Sequence, residues 1–269
     1  MTPSPSPRHN RWRAMGLLAS AFLMSSPLMG SPAPAAAHEA PPEPLEEVES
    51  FVAAGAAGML VLPPGAPDRL GPVVVILQDG EAPDGRASLY TDQLLGAGFA
   101  VLEIVRLPGD SLEAVLASLA GHPRMAEQRL GLLGFGAGAR LAAALPVSEA
   151  APVAARALLY PGCDDMAPAA MPGQAVLLMH GGADPANLPQ SCEALGAALE
   201  QAGAAVRLRV LDRATYAWDR PAFAGEGHAM LPRPDGAGRV RAEAWPALAQ
   251  LSAAEVAGFF AVTLLGQRP

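Results

Sequence analysis

The chain has 269 residues, of which 51% are hydrophobic and 16% are charged, and its formal net charge is -8 at pH 7. All 18 basic residues are arginine, so Schiff-base chemistry on a lysine side chain is excluded. The acidic balance and the absence of a basic patch argue against a nucleic-acid partner.

The N-terminal segment has the layout of a secretory signal peptide. Arginines precede an apolar run between Met15 and Met29, and Ala35-Ala36-Ala37 follows as a cleavage site. An uncleaved N-terminal anchor is the alternative. With cleavage near Ala37, the protein would be secreted or periplasmic and would have no membrane span. The predicted segments are a signal peptide over 1–37, a flexible acidic Pro-rich leader over 38–47 and one folded domain over 48–269.

Short β-rich segments alternate with Ala/Leu-rich segments along the predicted domain. The run PVVVILQDG at 72–80 is almost continuously apolar, as in a strand buried on both faces of a sheet. This alternation predicts a three-layer α/β fold, with a mostly parallel sheet and helices on both faces. The predicted strands are 58–65, 72–80, 99–107, 129–135, 155–162, 175–182 and 205–213, and the predicted helices are 88–98, 110–121, 137–145, 188–203 and 252–266.

The segment QRLGLLGFGAGARLAAAL at 128–145 combines a strand, a glycine turn and a helix, and two kinds of site use that layout. A G-x-G-x-x-G/A loop over 134–139 would cradle a dinucleotide phosphate. A nucleophile elbow, G-x-S-x-G, would place Gly136 at the position of the attacking residue. The dinucleotide interpretation requires an acid about 20 residues further on. The first acids at the end of the next strand are Asp164 and Asp165, so the elbow interpretation is favoured.

An elbow predicts its partners later in the chain, the acid before the histidine, each after a further strand. Asp184 follows the strand 175–182 within HGGADP, at the expected place of the acid. The strand 205–213 is followed by ATYAWDRP, in which Tyr216 occupies the expected place of the histidine. The sequence therefore predicts that Gly136, Asp184 and Tyr216 converge on one site.

Over roughly residues 48 to 266 the chain resembles the dienelactone hydrolase family of α/β-hydrolases. Members of that family carry G-x-C-x-G or G-x-S-x-G at the elbow, an H-G-x-x-D-like acid loop and an A-x-H-A-(F/W)-D histidine loop. The segments HGGADP, ATYAWDRP and YPGCDD match these surroundings. The resemblance implies ester or lactone hydrolysis, with Asp184 as the acid, Gly136 at the nucleophile position and Tyr216 at the histidine position.

The two substituted positions decide the functional prediction. Gly136 has no nucleophilic atom, and a phenol with a pKa of about 10 is a poor base at neutral pH. What remains is an oxyanion hole, made of the Ala137 backbone N–H and a donor from the Gln78-Asp79 loop. We expect a degenerate, non-catalytic protein that binds a small acyl, lactone or carboxylate ligand, or a partner, in the former active site. The alternative is an active ester or lactone hydrolase with relocated groups, either His228 or Cys163; oligomeric state stays open.

The chain has two cysteines, Cys163 and Cys192, which lie 29 residues apart in the sequence. An even number of cysteines in an exported chain suggests a disulfide, and two free thiols or one reactive thiol are the alternatives. Without Cys-x-x-Cys or clustered histidines, we expect no zinc site, no other metal and no cofactor.

Overall fold

The computed structural model describes residues 47–66, 70–80, 83–109, 111–124, 129–221 and 227–266. The predicted signal peptide, and all of the predicted leader except its last residue, lie outside these ranges. The strands are β1 (Glu47–Ala53), β2 (Ala56–Leu62), β3 (Val73–Leu77), β4 (Ala100–Arg106), β5 (Leu130–Phe135), β6 (Val153–Leu159), β7 (Ala175–Gly181), β8 (Ala205–Leu211), β9 (His228–Pro232) and β10 (Arg239–Glu243). The helices are α1 (Arg86–Gly96), α2 (Leu112–Ala120), α3 (Ala137–Ala144), α4 (Pro189–Gln201) and α5 (Pro246–Leu264).

Eight of these strands form one sheet in the order β1-β2-β4-β3-β5-β6-β7-β8. The strands β3 to β8 run parallel, whereas β2 lies antiparallel between β1 and β4. All five residues of β3 are buried because helices cover both faces of the sheet. The predicted three-layer α/β fold with a mostly parallel sheet is therefore confirmed.

The two faces of the sheet form two apolar clusters. Successive side chains of a strand point to opposite faces, so Val73 and Val75 join the cluster that includes α2, α3 and α4, while Val74 and Ile76 join the cluster that includes α1 and α5. This alternation within an all-apolar run explains why β3 carries no polar residue.

Every predicted strand and helix is present, with bounds that differ by a few residues. The largest difference is at α5, which begins at Pro246 rather than at residue 252. Proline is favoured in the first turn of a helix because its fixed φ suits that turn and its missing N–H needs no partner there. Between Pro246 and Leu251 only Ala249 is buried, so the first turns of α5 have no continuous buried stripe.

Three strands were not predicted from the sequence. In β1 only Phe51 is buried, so the strand has no apolar run, and it pairs with β2 through a turn in which Ala54 and Gly55 both have positive φ. The other two, β9 and β10, form a separate antiparallel hairpin, in which β9 has no buried residue and β10 has two. Strands that pack on one side only lack the hydrophobic signal on which the prediction depended.

Helix α5 is the one helix within the described ranges that is long and apolar enough to cross a membrane. Half of that span is buried against the rest of the protein, and Phe259 and Phe260 belong to the core cluster it shares with α1. These contacts are those of a core helix. The expectation that the exported protein has no membrane span stays a prediction.

Candidate active site

The turn between β5 and α3 has the shape of a strand–turn–helix elbow. Gly136 has φ 48° and ψ -112°, a conformation that residues with a Cβ rarely adopt. A Cβ at Gly134 would lie 2.5 Å from the Cα of Ala139, and a Cβ at Gly138 would lie 2.4 Å from the carbonyl oxygen of Leu77. The three glycines therefore allow α3 to pack directly against the ends of β5 and β3.

The space in front of Gly136 is filled by two other side chains. A Cβ on residue 136 would lie 1.9 Å from Asp79 Oδ1 and 2.3 Å from the hydroxyl oxygen of Tyr216. Both distances are far shorter than a van der Waals contact. No side chain fits on residue 136 unless Asp79 and Tyr216 move.

Asp79, which follows β3, accepts hydrogen bonds from two of the residues predicted for the site. The Ala137 N–H donates to Asp79 Oδ1 at 2.8 Å, and the Tyr216 hydroxyl donates to Asp79 Oδ2 at 2.5 Å. The predicted oxyanion donor Ala137 is thus occupied by a carboxylate of the protein itself. The Gln78-Asp79 loop was predicted to supply a second backbone donor. In this loop the side-chain amide of Gln78 donates to Glu103 Oε1 at 2.8 Å.

Burial controls the ionisation of this pair. It raises the pKa of Asp79, against the effects of the nearby Arg86 guanidinium and of the hydrogen bonds from Tyr216 and Ala137. Burial also raises the pKa of Tyr216 well above its usual range, and the Asp79 carboxylate raises it further. Tyr216 is therefore a protonated donor to Asp79 and has no capacity to act as a base.

A buried arginine supports Asp79 from the side of α1. Arg86 is 2% exposed, and its Nη1 lies 3.4 Å from Asp79 Oδ2. The same guanidinium binds Asp84 at 2.5 Å and donates to the Tyr160 hydroxyl at 2.9 Å. It also lies over the rings of Phe135 and Tyr160. Arg86 therefore compensates the negative charge that Asp79 brings into the site.

Behind this arginine lies a second buried carboxylate. Asp219 accepts hydrogen bonds from the hydroxyls of Tyr160 at 2.7 Å and Tyr90 at 2.6 Å. Burial raises its pKa, while the Arg86 charge and the two phenols lower it. The polar groups beneath the elbow are thus connected into one hydrogen-bonded network, as buried polar groups require.

The predicted acid, Asp184, lies in the loop between β7 and α4 and is 2% exposed. It accepts hydrogen bonds from the Ala186 N–H and the Asn187 side-chain amide, both at 2.8 Å. Burial raises its pKa to about 6 from an ordinary value of 3.8. Its charge also raises the pKa of Tyr216 and interacts with Asp79, so these groups share one electrostatic environment.

A disulfide joins Cys163, which follows β6, to Cys192 in α4. Asn187 lies between these two segments, and its Oδ1 accepts a hydrogen bond from the Gly162 N–H at 2.8 Å. The disulfide and Asn187 therefore fix the loop that carries Asp184. The predicted bond is confirmed, it is compatible with an extracellular location, and as a disulfide Cys163 provides no thiolate.

His228 lies on the β9–β10 hairpin, where it is paired with Glu243 and partly buried. The hairpin contacts the Tyr216 loop through a bridge between Tyr216 and Ala242 and through a 3.0 Å hydrogen bond from the Glu243 N–H to Thr215 Oγ1. His228 is thus carried by a strand and not by the loop of Tyr216. Within the described ranges, no three His, Cys, Asp or Glu side chains are grouped so as to hold a metal ion.

A cavity of about 510 Å³ opens beside the elbow, at the carboxyl ends of β3 and β4. Its walls are mostly apolar, and Gln78 and Arg106 are its polar side chains among the described residues. Ala137 and Gly138 form the side shared with the elbow. A mostly apolar cavity with a few polar groups is typical of small-molecule sites. The apolar walls are Leu77, Ile104, Val105, Leu107 and Leu141.

The structure brings most of the predicted site residues together. Gly136, Ala137, Asp79 and Tyr216 meet directly, Asp184 acts on them electrostatically, and Gln78 lines the adjacent cavity. The supporting residues were not predicted from the sequence. The only signal for them is a charged or phenolic residue in or beside an apolar segment, and that signal alone does not identify a site. The supporting residues are Arg86, Tyr160, Asp219 and Asn187.

These segments coincide with a family match. The model of the dienelactone hydrolase family matches residues 106–233, which include the elbow, the acid loop and Tyr216. The matched segment spans slightly less than half of the chain and is similar to the dienelactone hydrolase family. The resemblance seen in the sequence is thereby confirmed, and no curated protein matches the chain significantly in sequence.

Solved esterases have the same fold as this dienelactone hydrolase-like chain. An esterase/lipase from an uncultured bacterium has a TM-score of 0.58 at 16% identity, covering 82% of this chain and 85% of its own. The apo form of Thermogutta terrifontis esterase 2 has a TM-score of 0.59 at 15% identity, covering 85% and 98%. A Rhizomucor miehei esterase has a TM-score of 0.59 at 14% identity, covering 82% and 84%. At these identities the similarity establishes the α/β-hydrolase fold alone.

Proposed function

We propose that this chain is a non-catalytic, exported protein of the dienelactone hydrolase type that binds a small acyl, lactone or carboxylate compound beside its former active site. The observation that carries the proposal is the Asp79 carboxylate in front of Gly136, bonded to the Ala137 amide at 2.8 Å. Acyl transfer needs a nucleophile, a base and a vacant oxyanion site. Gly136 supplies no nucleophile, Tyr216 is a donor and the Ala137 amide is already bonded.

The adjacent cavity supports the binding part of the proposal. An acyl chain would contact Leu107 and Leu141, while its polar end would lie near Ala137. Arg106 lines the same cavity and would suit a ligand that carries a carboxylate. The disulfide and the predicted signal peptide support export.

Two alternatives are disfavoured by specific contacts. Cys163 would need reduction of its disulfide before it could attack a carbonyl. A diphosphate on the glycine turn would meet the Asp79 carboxylate, and like charges repel at that distance. A hydrolase that uses His228 as a relocated base is the alternative that an assay must test.

The activity test uses p-nitrophenyl acetate and a serine-reactive phosphonate probe. We expect wild type and His228→Ala to give the same rate as buffer and no covalent labelling, because no side chain stands at the elbow. Turnover above the buffer rate that is lost in His228→Ala would replace the proposal with the active hydrolase.

The binding test uses γ-caprolactone and hexanoate as probes, measured by calorimetry. Leu141→Arg places a long charged side chain in the cavity and should weaken binding about tenfold or more. The matched control is Leu251→Arg, another exposed leucine, on α5. Equal binding by both variants would place the ligand outside this cavity.

A reversion experiment tests the elbow assignment. Gly136→Ser with Tyr216→His should stay inactive, because the new Cβ still overlaps Asp79. Adding Asp79→Ala removes that overlap, and we expect phosphonate labelling of the introduced serine only in this triple variant. A folded triple variant that is not labelled would contradict the assignment of residue 136 as the nucleophile position.

A further inference from the structure

Ala137 lines the cavity, and its backbone N–H is bonded to the Asp79 carboxylate. Ala137 lines the cavity together with Gln78 and Gly80, the two chain neighbours of Asp79. The Asp79 side chain itself is 8% exposed and holds the Ala137 N–H at 2.8 Å. A ligand carbonyl that reaches Ala137 from the cavity must therefore compete with an acceptor that belongs to the protein.

We propose that Asp79 gates this site: as a carboxylate it occupies the Ala137 amide, and as a carboxylic acid it yields that amide to the carbonyl oxygen of a neutral ester or lactone. The inference rests on the proposed function, since it takes the cavity to be a site for small acyl compounds. It adds the class of ligand, a neutral carbonyl compound, and the condition under which that ligand binds.

The hydrogen bonds of Asp79 provide the chemical reason. An ionised carboxylate only accepts hydrogen bonds, and bonds to it are charge-assisted and short, as the 2.5 Å contact from Tyr216 and the 2.8 Å contact from Ala137 are. A protonated carboxyl accepts more weakly and itself becomes a donor. Both changes favour a ligand carbonyl, because the amide is released and a second donor is created beside it.

Several elements present charged or titratable groups to Asp79. Arg86 on α1 lies 3.4 Å away and favours the carboxylate. Asp84 before α1 and Asp184 after β7 disfavour it, whereas Tyr216 after β8 is a protonated donor. The Tyr160 phenol at the end of β6 also interacts with Asp79. Burial is the largest influence, and it raises the pKa of Asp79.

The direction of the response follows from these contacts. Because the pKa of Asp79 is raised, its proton is taken up at a higher pH than that of an ordinary aspartate. Acidification therefore opens the site while exposed aspartates are still ionised. A carboxylate ligand gains less from the opening, because Asp84, whose pKa is lowered against the effect of burial by Arg86 and Arg220, stays ionised near Asp79.

The first test measures γ-caprolactone binding by the full chain at about pH 5 and about pH 8. Wild type should bind about tenfold more tightly at the lower pH. Asp79→Asn, which is neutral at both pH values, should bind with the same affinity at both. Asp92→Asn, an exposed acid on α1, should keep the wild-type pH dependence. Wild-type affinity that is equal at both pH values would overturn the gate and leave ligand binding intact.

The second test needs no ligand and follows backbone amide resonances by NMR during a pH titration. The Ala137 amide should shift with a midpoint above 3.8, the ordinary value, and should not shift in Asp79→Asn. The Ala186 amide, which is bonded to Asp184, should titrate in both proteins and serves as the internal control. An Ala137 amide that is static in wild type would overturn the gate. A lack of lactone binding by both proteins at both pH values would overturn the proposed function as well.

Discussion

The elbow and the acid loop end two strands of one sheet, yet they differ in what holds them together. In the acid loop, the Asp184 carboxylate is hydrogen-bonded by Ala186 and Asn187 of its own loop, and a disulfide joins the flanking segments. In the elbow, residue 136 has no side chain, and its space is filled by Asp79 and Tyr216 from two other loops. The acid loop is stabilised locally, whereas the elbow is stabilised by residues distant in sequence.

This difference indicates how the elbow is stabilised with glycine at position 136. A backbone N–H buried without an acceptor is destabilising by roughly 1 to 3 kcal/mol. Asp79 supplies the acceptor for Ala137, and Arg86 offsets the charge that comes with it. The elbow can therefore keep its strained turn without a bound ligand.

The largest expected effect comes from adding a side chain to the elbow. Gly136→Ser should lower the free energy of unfolding by about 4 kcal/mol, through overlap with Asp79 and backbone strain. Gly173→Ser is the matched control, because Gly173 also has positive φ but nothing within 4 Å of its Cβ. Its loss should be about 1 kcal/mol, measured by urea unfolding. Equal losses in both variants would mean that Asp79 does not block residue 136.

Removing the disulfide should act on the acid loop and leave the elbow unchanged. The double variant Cys163→Ala/Cys192→Ala should lose roughly 3 kcal/mol, because the bond closes a loop of 29 residues. Wild type treated with a reductant should have the same free energy of unfolding as the double variant. The Ala137 amide resonance should keep its position in the variant, and its displacement would show that the two regions are coupled.

The acid loop should also differ from the elbow in the pH dependence of its stability, through Asp184. The pKa of Asp184 is about 6 when folded against an ordinary 3.8, so the folded state binds its proton more tightly. Stability from this group is complete below the ordinary value and is lost as pH rises through about 6, by roughly 3 kcal/mol. The free energy of unfolding, measured with urea, should fall as pH rises across this range in wild type and should not show this fall in Asp184→Asn. Parallel profiles would contradict the burial of an ionisable Asp184.

The smallest expected effect concerns the hydroxyl of Tyr216. Tyr216→Phe should lose about 1.5 kcal/mol, because Asp79 loses one of its donors. In an Asp79→Asn background, Tyr216→Phe should lower the free energy of unfolding by less. The difference between the two losses gives the coupling energy of Tyr216 and Asp79. Additive effects would show that the 2.5 Å contact contributes nothing to stability.

The sequence predicted the elements of the fold well where they are buried on both sides. Runs such as Val73–Leu77 are apolar throughout, and the helices between them have glycine ends or helical spacing. Strands β1, β9 and β10 escaped because they pack on one side only. Pattern reasoning depends on hydrophobic periodicity, and edge strands and short hairpins provide little of it.

For the site, the sequence determined the glycine elbow, the acid loop and the tyrosine loop, because each is a local motif next to a predicted strand. It also placed Asp79 in the neighbouring loop, although only as a backbone donor. The tertiary structure alone decided that the Asp79 side chain reaches Ala137, 58 residues away, and Tyr216, 137 residues away. Such contacts follow from the order of strands in the sheet and from the orientation of buried side chains, and neither is encoded in a local sequence pattern.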